Sequence, residues 1–290
     1  MKVLCFGSLN IDYVYQVPHF VNAGETLASR DLQIFSGGKG LNQSIALARA
    51  GAETYHAGAI GTDGLFLLEE LKAAGVNTDY IEQRHQIKTG HAIIQNSENG
   101  DNCSLLYGGA NHSITREQID RTLADFAAGD ALVVQNEINE LAYLMKQAKQ
   151  KGMLVALNPS PMDDSLPALI GYSDYLLLNE VEAAQLVAKD TPMNMLRQLQ
   201  KQFPTTAIVL TVGAEGSLYA DAHECLVQSA VRVQPVDTTA AGDTYTGFFL
   251  AGIFSGQSPK WTMAFASKAA AIAVTRKGAA PSIPTRDEII

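Results

Sequence analysis

Ala131-Leu132-Val133-Val134-Gln135 is a short apolar run that stops on a polar residue, and Leu154-Val155-Ala156-Leu157 is another, stopping on Asn158-Pro159-Ser160. Residues 140–151 between them read as a helix. Short, continuously apolar runs separated by helices describe strands buried on both sides. The unit recurs outward in both directions. A strand at 54–60 precedes Gly61-Thr62-Asp63-Gly64 and a helix at 65–74, and a helix at 115–126 leads into the opening strand. A strand at 175–178 ends in Asn179 and runs into a helix at 180–188, and one at 207–211 ends in Val212-Gly213-Ala214-Glu215-Gly216-Ser217. Near the amino terminus, Val3-Leu4-Cys5-Phe6 breaks at Gly7-Ser8 as a further buried strand. Strands alternating with helices predict an α/β protein with a mainly parallel central sheet covered on both faces. Ligands of such sheets sit beyond the carboxyl ends of the strands. Asn10, Asp12, Glu137, Asn158, Asn179 and Thr211 all fall there. For Asn10 and Asp12 a turn held by Asx hydrogen bonds is an equally good reading.

Two stretches break the alternation. Residues 13–35 lack helical periodicity and contain Pro18 and Gly24. Residues 88–107 read as a hairpin: His91-Ala92-Ile93-Ile94-Gln95, a polar turn at 96–102, then Cys103-Ser104-Leu105-Leu106-Tyr107. Together the two excursions predict a small β lid on a single domain spanning 1–290. Between them, Ser36-Gly37-Gly38-Lys39-Gly40-Leu41-Asn42-Gln43-Ser44 opens an Ala-rich helix that ends at Gly51. It is not a P-loop of the Walker type, because Gly40 follows Lys39 and Gln33 stands where the first glycine is needed.

A second small-residue loop, Asp237-Thr238-Thr239-Ala240-Ala241-Gly242-Asp243, leads into a helix predicted at 240–255, with another at 260–275. Unpaired N–H groups at the start of a buried helix, aligned with its dipole, form a seat for an anion. Asp243 lies in the first turn, where a carboxylate either caps the helix or serves as a base beside a bound phosphate. An anion seat with a fixed base at its edge is what phosphoryl transfer to a hydroxyl requires. The Gly/Pro-rich segment 276–284 reads as a return loop.

The chain has 290 residues, 47% hydrophobic and 18% charged, and a net charge of −9, so a phosphate-backbone binder is not expected. Lys268, Arg276, Lys277 and Arg286 read as solvated helix ends rather than a nucleic-acid face. No apolar run reaches membrane-spanning length, no signal peptide is evident, and a cytoplasmic protein is expected. The three cysteines, Cys5, Cys103 and Cys225, form no zinc pattern and read as buried filler.

With these stretches in view, the chain resembles the ribokinase family, the PfkB-type carbohydrate kinases. The diagnostic segments are Gly37-Gly38-Lys39-Gly40-Leu41-Asn42-Gln43 and Asp237–Thr244. Supporting matches are Gly7-Ser8-Leu9-Asn10-Ile11-Asp12, Gly24-Glu25-Thr26, Asn179-Glu180-Val181-Glu182-Ala183 and Ala273-Val274-Thr275-Arg276-Lys277-Gly278-Ala279. The resemblance implies a three-layer α/β/α body with a β-sheet lid, and transfer of the γ-phosphoryl group of ATP to a primary sugar hydroxyl, ribose being favoured. It implies Asp243 as general base and the N–H groups of Ala240, Ala241 and Gly242 as anion hole. Asn10, Asp12, Gly38, Lys39, Asn42 and Glu137 match sugar-binding positions, and Asn179, Thr211, Gly213, Gly216, Gly242 and Ser267 match the ATP site. Asn179 and Glu182 match a Mg²⁺ motif acting through water. Asp237, Thr239, Ala273, Arg276, Gly278 and Ser282 match a monovalent cation site, usually potassium, built mostly of carbonyl oxygens. Two positions depart from the family pattern: Phe66 replaces a glycine, and Ser267 stands where some members carry a histidine near adenine. The open edges of the lid suggest a homodimer formed through it.

Overall fold

The computed structural model describes residues 1–99 and 101–289. The amino-terminal part comprises β1 (Lys2–Phe6), β2 (Asn10–Val17), β3 (Asp31–Gly37), α1 (Lys39–Arg49), β4 (Glu53–Gly61), α2 (Leu65–Ala73), β5 (Asn77–Arg84), β6 (Gly90–Ser97) and β7 (Asn102–Tyr107). There follow α3 (Arg116–Ala124), β8 (Ala131–Gln135), α4 (Leu141–Gln150), β9 (Leu154–Asn158), α5 (Leu166–Ile170), β10 (Tyr175–Asn179) and α6 (Glu180–Leu186). The chain finishes with α7 (Pro192–Gln202), β11 (Ala207–Thr211), β12 (Gly216–Ala220), β13 (Cys225–Ser229), α8 (Ala241–Phe254) and α9 (Pro259–Val274).

Among the described residues the main sheet runs β13-β12-β11-β10-β9-β8-β1-β4-β5. All its pairs from β11 to β5 are parallel, while β12 and β13 are added antiparallel. Alternate side chains of one strand enter different cores. Leu4 and Phe6 of β1, with Leu132 and Val134 of β8, pack on one face, against Leu144 and Met145 of α4. Val3, Cys5, Ala131 and Val133 pack on the other, with Leu41 and Ile45 of α1 and Phe248 and Phe249 of α8. A sheet wet on one side would not need apolar residues at both parities, so the run quoted at the outset has its cause in burial on both faces. Helix α8 lies so close to α1 that a Cβ at Gly247 would fall 2.9 Å from the Leu47 amide nitrogen.

The second sheet has the order β3-β2-β6-β7. Its strands fall within or beside the two excursions that break the β/α alternation, and β6 and β7 form the expected hairpin. Gly100, part of the turn expected at 96–102, lies outside the described residues. Asn10 and Asp12 are not in a turn after β1, as one reading had it; they begin β2 and face the same side of this smaller sheet. The cysteine expectation holds for Cys5 alone, since Cys103 is exposed on β7, where every residue is exposed, and Cys225 on β13, where every second residue is. The elements β5, α5, α7, β12 and β13 have no counterpart in the sequence reading. For α7 the signal was present: Thr191 caps the helix by accepting from the Asn194 N–H, and Pro192 opens it.

Candidate active site

Three loops converge at the carboxyl edge of the main sheet: the entry to α1, the segment after β8, and the entry to α8. Ala240 adopts a left-handed conformation (φ 58°), which turns the chain sharply into α8. The Ala241 N–H closes this turn onto the Thr238 carbonyl at 3.3 Å. A Cβ at Gly242 would meet nothing within 4 Å, so its backbone faces open space. That space is a cavity of about 230 Å³ lined by Lys39, Asn179, Glu182, Thr238, Gly242 and Asp243, among others.

Asp243 is 8% exposed and both its oxygens are engaged. Oδ2 accepts from Asn42 Nδ2 at 3.0 Å and Oδ1 from Gln43 Nε2 at 2.9 Å. Helix α1 therefore fixes Asp243 while its first residue, Lys39, reaches the same cavity. Burial works against the Lys39 ammonium, but the carboxylates of Asp243, Glu137 and Glu182 outweigh it and hold the group above the usual lysine range.

On the side of the smaller sheet, Glu137 Oε2 accepts from the Ser8 hydroxyl and from the Lys39 N–H, the latter at 3.0 Å. Burial raises the Glu137 carboxyl above its ordinary range, with those two neighbours restraining it. Asp12 is pushed up to about 6, first by burial and then by the Glu137 charge. Gly38, with φ 93°, lets the chain pass beside Asn10 and Ser8: a Cβ there would lie 3.0 Å from the Asn10 amide nitrogen and the Ser8 carbonyl oxygen. Asn10 Oδ1 accepts from Asn111 Nδ2 at 2.7 Å, and Asn111 Oδ1 accepts from the Leu9 N–H at 3.0 Å. Asn10, Asp12, Gly38, Lys39, Asn42 and Glu137, distant in sequence, are thus brought around the approach to Asp243.

A larger cavity of about 560 Å³ adjoins the first across Thr211, Thr238, Ala241, Gly242 and Tyr245. Gly213, Gly216 and Ser267 line it, with Val231, Val233 and Ala270 among its apolar walls. Gly216 has φ 122°, and a Cβ there would sit 2.7 Å from the Ala230 amide nitrogen, so only glycine fits without strain. Asn179 and Glu182 form a capping box at the start of α6: Asn179 Oδ1 accepts from the Val181 and Glu182 N–H groups, and Glu182 Oε2 from the Asn179 N–H. Only one oxygen of Glu182 is used in this way.

The carboxylate of Asp237 ties the α8 entry to the return loop. Oδ1 accepts from Thr239 N (2.9 Å) and Thr239 Oγ1 (2.6 Å), and Oδ2 from the Gly278 N–H (2.9 Å). Ala273 lies in the last turn of α9, where its carbonyl accepts from the Arg276 N–H at 3.0 Å. The Arg276 side chain turns away to Glu288, and Ser282 is buried with its hydroxyl on the Ala279 carbonyl at 2.7 Å.

Ser8, Gln43, Asn111 and Gln135 take part in the site without having been assigned to it from sequence. Gln135, a polar residue closing an otherwise apolar buried strand, carried the clearest signal.

A doubly covered parallel sheet whose carboxyl edge carries a helix-borne carboxylate, a cluster of hydrogen-bonding groups and a second, largely apolar cavity suits a small-molecule phosphotransferase. Residues 1–286 match the pfkB family of carbohydrate kinases, and the chain belongs to that family. Within it, the chain is similar to ribokinases. It is 34% identical over 292 residues to the ribokinase of Haemophilus influenzae, covering 98% of this chain and 95% of that one. Arabidopsis thaliana ribokinase complexed with ribose and ATP matches with a TM-score of 0.89 at 29% identity, over 99% of this chain and 96% of that one. Cryptococcus neoformans ribokinase in complex with ADP matches with a TM-score of 0.84 at 32% identity, over 99% and 98%. The expected family and the three-layer α/β/α fold with a smaller sheet are those observed. Among the described residues, no helix is long and apolar enough to cross a membrane.

Proposed function

We propose that the enzyme transfers the γ-phosphoryl group of ATP to the primary hydroxyl of D-ribose, giving ribose 5-phosphate and ADP. The observation that carries this reading is the fixing of Asp243 by Asn42 and Gln43 at the start of α8, beside the open backbone of Gly242. A polyol needs acceptors and donors placed for each hydroxyl, since a buried hydroxyl left unmatched costs about 1–3 kcal/mol. Asp12 and Glu137 accept, Lys39 donates, and Asn10, Asn42 and the Gly38 backbone complete the set.

Asp243 takes the proton of the acceptor hydroxyl as its oxygen bonds to the γ-phosphorus, and the bond from that phosphorus to the bridging oxygen breaks to release ADP. The N–H groups of Ala240, Ala241 and Gly242 face the phosphoryl oxygens, with the Ala241 amide leaving its long bond to Thr238. Together with Lys39 and the α8 dipole they balance the charge spread over the migrating group. The base and phosphates of ATP occupy the larger cavity, with Thr211, Gly213, Gly216 and Ser267 against the nucleotide and Asn179 near the phosphates.

A hydrated Mg²⁺ would neutralise nucleotide phosphates there, and Asn179 and Glu182 would hold it through its water shell. The Glu182 oxygen left free by the capping box suits an ion that keeps its water, and Asn179 would set the position of Glu182. A monovalent cation, in our reading potassium, would sit among carbonyls of Asp237, Thr239, Ala273, Arg276, Gly278 and Ser282. Three donors already occupy the Asp237 carboxylate, so carbonyl oxygens are the natural ligands there.

The smaller sheet acts as a lid on a single domain. It bears exposed apolar side chains, Leu32 (45%), Ile34 (54%), Leu105 (68%) and Leu106 (58%), which favour a homodimer formed through it in a cytoplasmic enzyme. A coupled ADP-release screen over ribose, deoxyribose, fructose, tagatose, ketodeoxygluconate and nucleosides tests the assignment. Ribose should give the highest kcat/KM; a tenfold preference for another acceptor would replace it.

A further inference from the structure

A catalytic base must be held still as well as near its substrate, because a carboxylate rotated about its Cβ–Cγ bond aims its lone pairs elsewhere. Asn42, which takes one oxygen of Asp243, also belongs to the sugar-binding set. Gln43, which takes the other, is fully buried and lines neither ligand cavity.

The Gln43 amide is fixed at each polar atom. Nε2 donates to Asp243 Oδ1 at 2.9 Å and to Asn158 Oδ1 at 3.1 Å. Oε1 accepts from Gln135 Nε2 at 2.6 Å. Asn158 is anchored in turn by donating through Nδ2 to the Leu177 carbonyl at 2.9 Å, and Gln135 is fully buried in β8. Reversing the Gln43 amide would set its oxygen against two acceptors and its NH₂ against a donor, so one orientation is selected. The chain of amides runs from β8, β9 and β10 to a single oxygen of Asp243. Buried polar chains are costly where an atom is left unpaired, as Gln135 Oε1 is among the described residues, and this one ends on a group with a chemical task.

We propose that Gln43 is a positioning residue for phosphoryl transfer: by donating to Oδ1 it sets the plane of the Asp243 carboxylate towards the acceptor hydroxyl. This rests on Asp243 being the base. The other charged or titratable groups acting on Asp243 are Lys39 of α1, Glu137 after β8 and Cys5 of β1; none makes a hydrogen bond to it.

The test compares Gln43→Met, which keeps bulk and loses both functions, with Gln43→Glu, which keeps the acceptor and loses the donor. In Gln43→Met, kcat with ribose should fall about 10–100-fold while KM for ribose changes less than about threefold. Gln43→Glu should show the same split, since it too lacks the donor to Oδ1. A side chain that only packs would lower thermal stability without a selective loss of kcat at nearly unchanged KM. A folded Gln43→Met with the parent kcat, or with its loss confined to KM, overturns the proposal. Should Gln43→Met not fold, Gln43→Glu gives the same reading, and if neither folds the residue serves the fold and the proposal falls. Asp243→Asn separates the two ideas. Near-normal turnover in that variant removes the base itself, whereas an inactive Asp243→Asn beside an unaffected Gln43→Met removes only the role of Gln43.

Discussion

Replacing Asp12 by Asn should weaken sugar binding and stabilise the protein, and both effects should depend on pH. The Asp12 carboxyl is half-buried and moves from an ordinary 3.8 to about 6, because burial and Glu137 both oppose its charge. Carrying that charge at neutral pH costs the sugar-free enzyme about 3 kcal/mol at most. The sign follows from proton linkage. The folded chain holds this proton more tightly than the unfolded one, so the contribution to stability is fully present below pH 3.8 and lost as pH rises through about 6. Asp12→Asn, which has no charge to bury, should therefore gain about 1–3 kcal/mol over the parent at pH 7.5 and much less at pH 4 in urea unfolding. Sugar binding has the opposite sign. In the proposed site hydroxyls donate to the ionised form, so affinity should fall about tenfold from pH 7.5 to pH 5 in titration calorimetry, with any titration of Glu137 adding to the fall. At pH 7.5 Asp12→Asn should bind ribose about 10–100-fold more weakly and lose most of this pH dependence. Parent affinity that stays flat between pH 7.5 and 5, or unchanged affinity in the variant, would refute the argument.

Asp243→Asn should lower kcat by about 10²–10⁴ with ribose affinity within a few-fold of the parent, measured by single-turnover kinetics and calorimetry; unimpaired turnover removes it as the base. Gly242→Ala and Gly247→Ala should part company. At Gly242 a Cβ meets nothing within 4 Å, so thermal stability should hold while kcat/KM for ATP falls about tenfold or more. At Gly247 the same methyl presses on the α1 backbone, and unfolding should show a loss of about 1–3 kcal/mol. Potassium chloride should raise kcat above that in buffer free of sodium and potassium; a rate indifferent to both ions discards the carbonyl-lined cation site.

How far the sequence could be read depended on the range of the interactions involved. Buried parallel strands announce themselves locally, and β8 and β11 lie at their expected residues, while the caps of α1 and α8 were marked by small residues. The antiparallel pair β12–β13 was missed because its cause is an edge: in Cys225-Leu226-Val227-Gln228-Ser229 the apolar residues do not alternate with polar ones, and the strand is too short to stand out. Asn10 and Asp12 were expected near the site, yet their place in β2 depends on pairing with Gly37 and Phe35 of β3, remote in sequence. The partners of Asp243 were beyond reach altogether, since Gln43 lies 200 positions from it and only the packing of α1 on α8 brings them into contact.

Helix α1 is one rigid body that touches Glu137 with its first amide and Asp243 with the side chains of its next turn. In the proposed mechanism it therefore works as a fixed gauge between the place where an acceptor would be gripped and the place where it would be deprotonated. On that reading, altering the strands that flank the sugar would change which molecule is accepted, while the reach demanded of its terminal oxygen would stay set by one turn of helix.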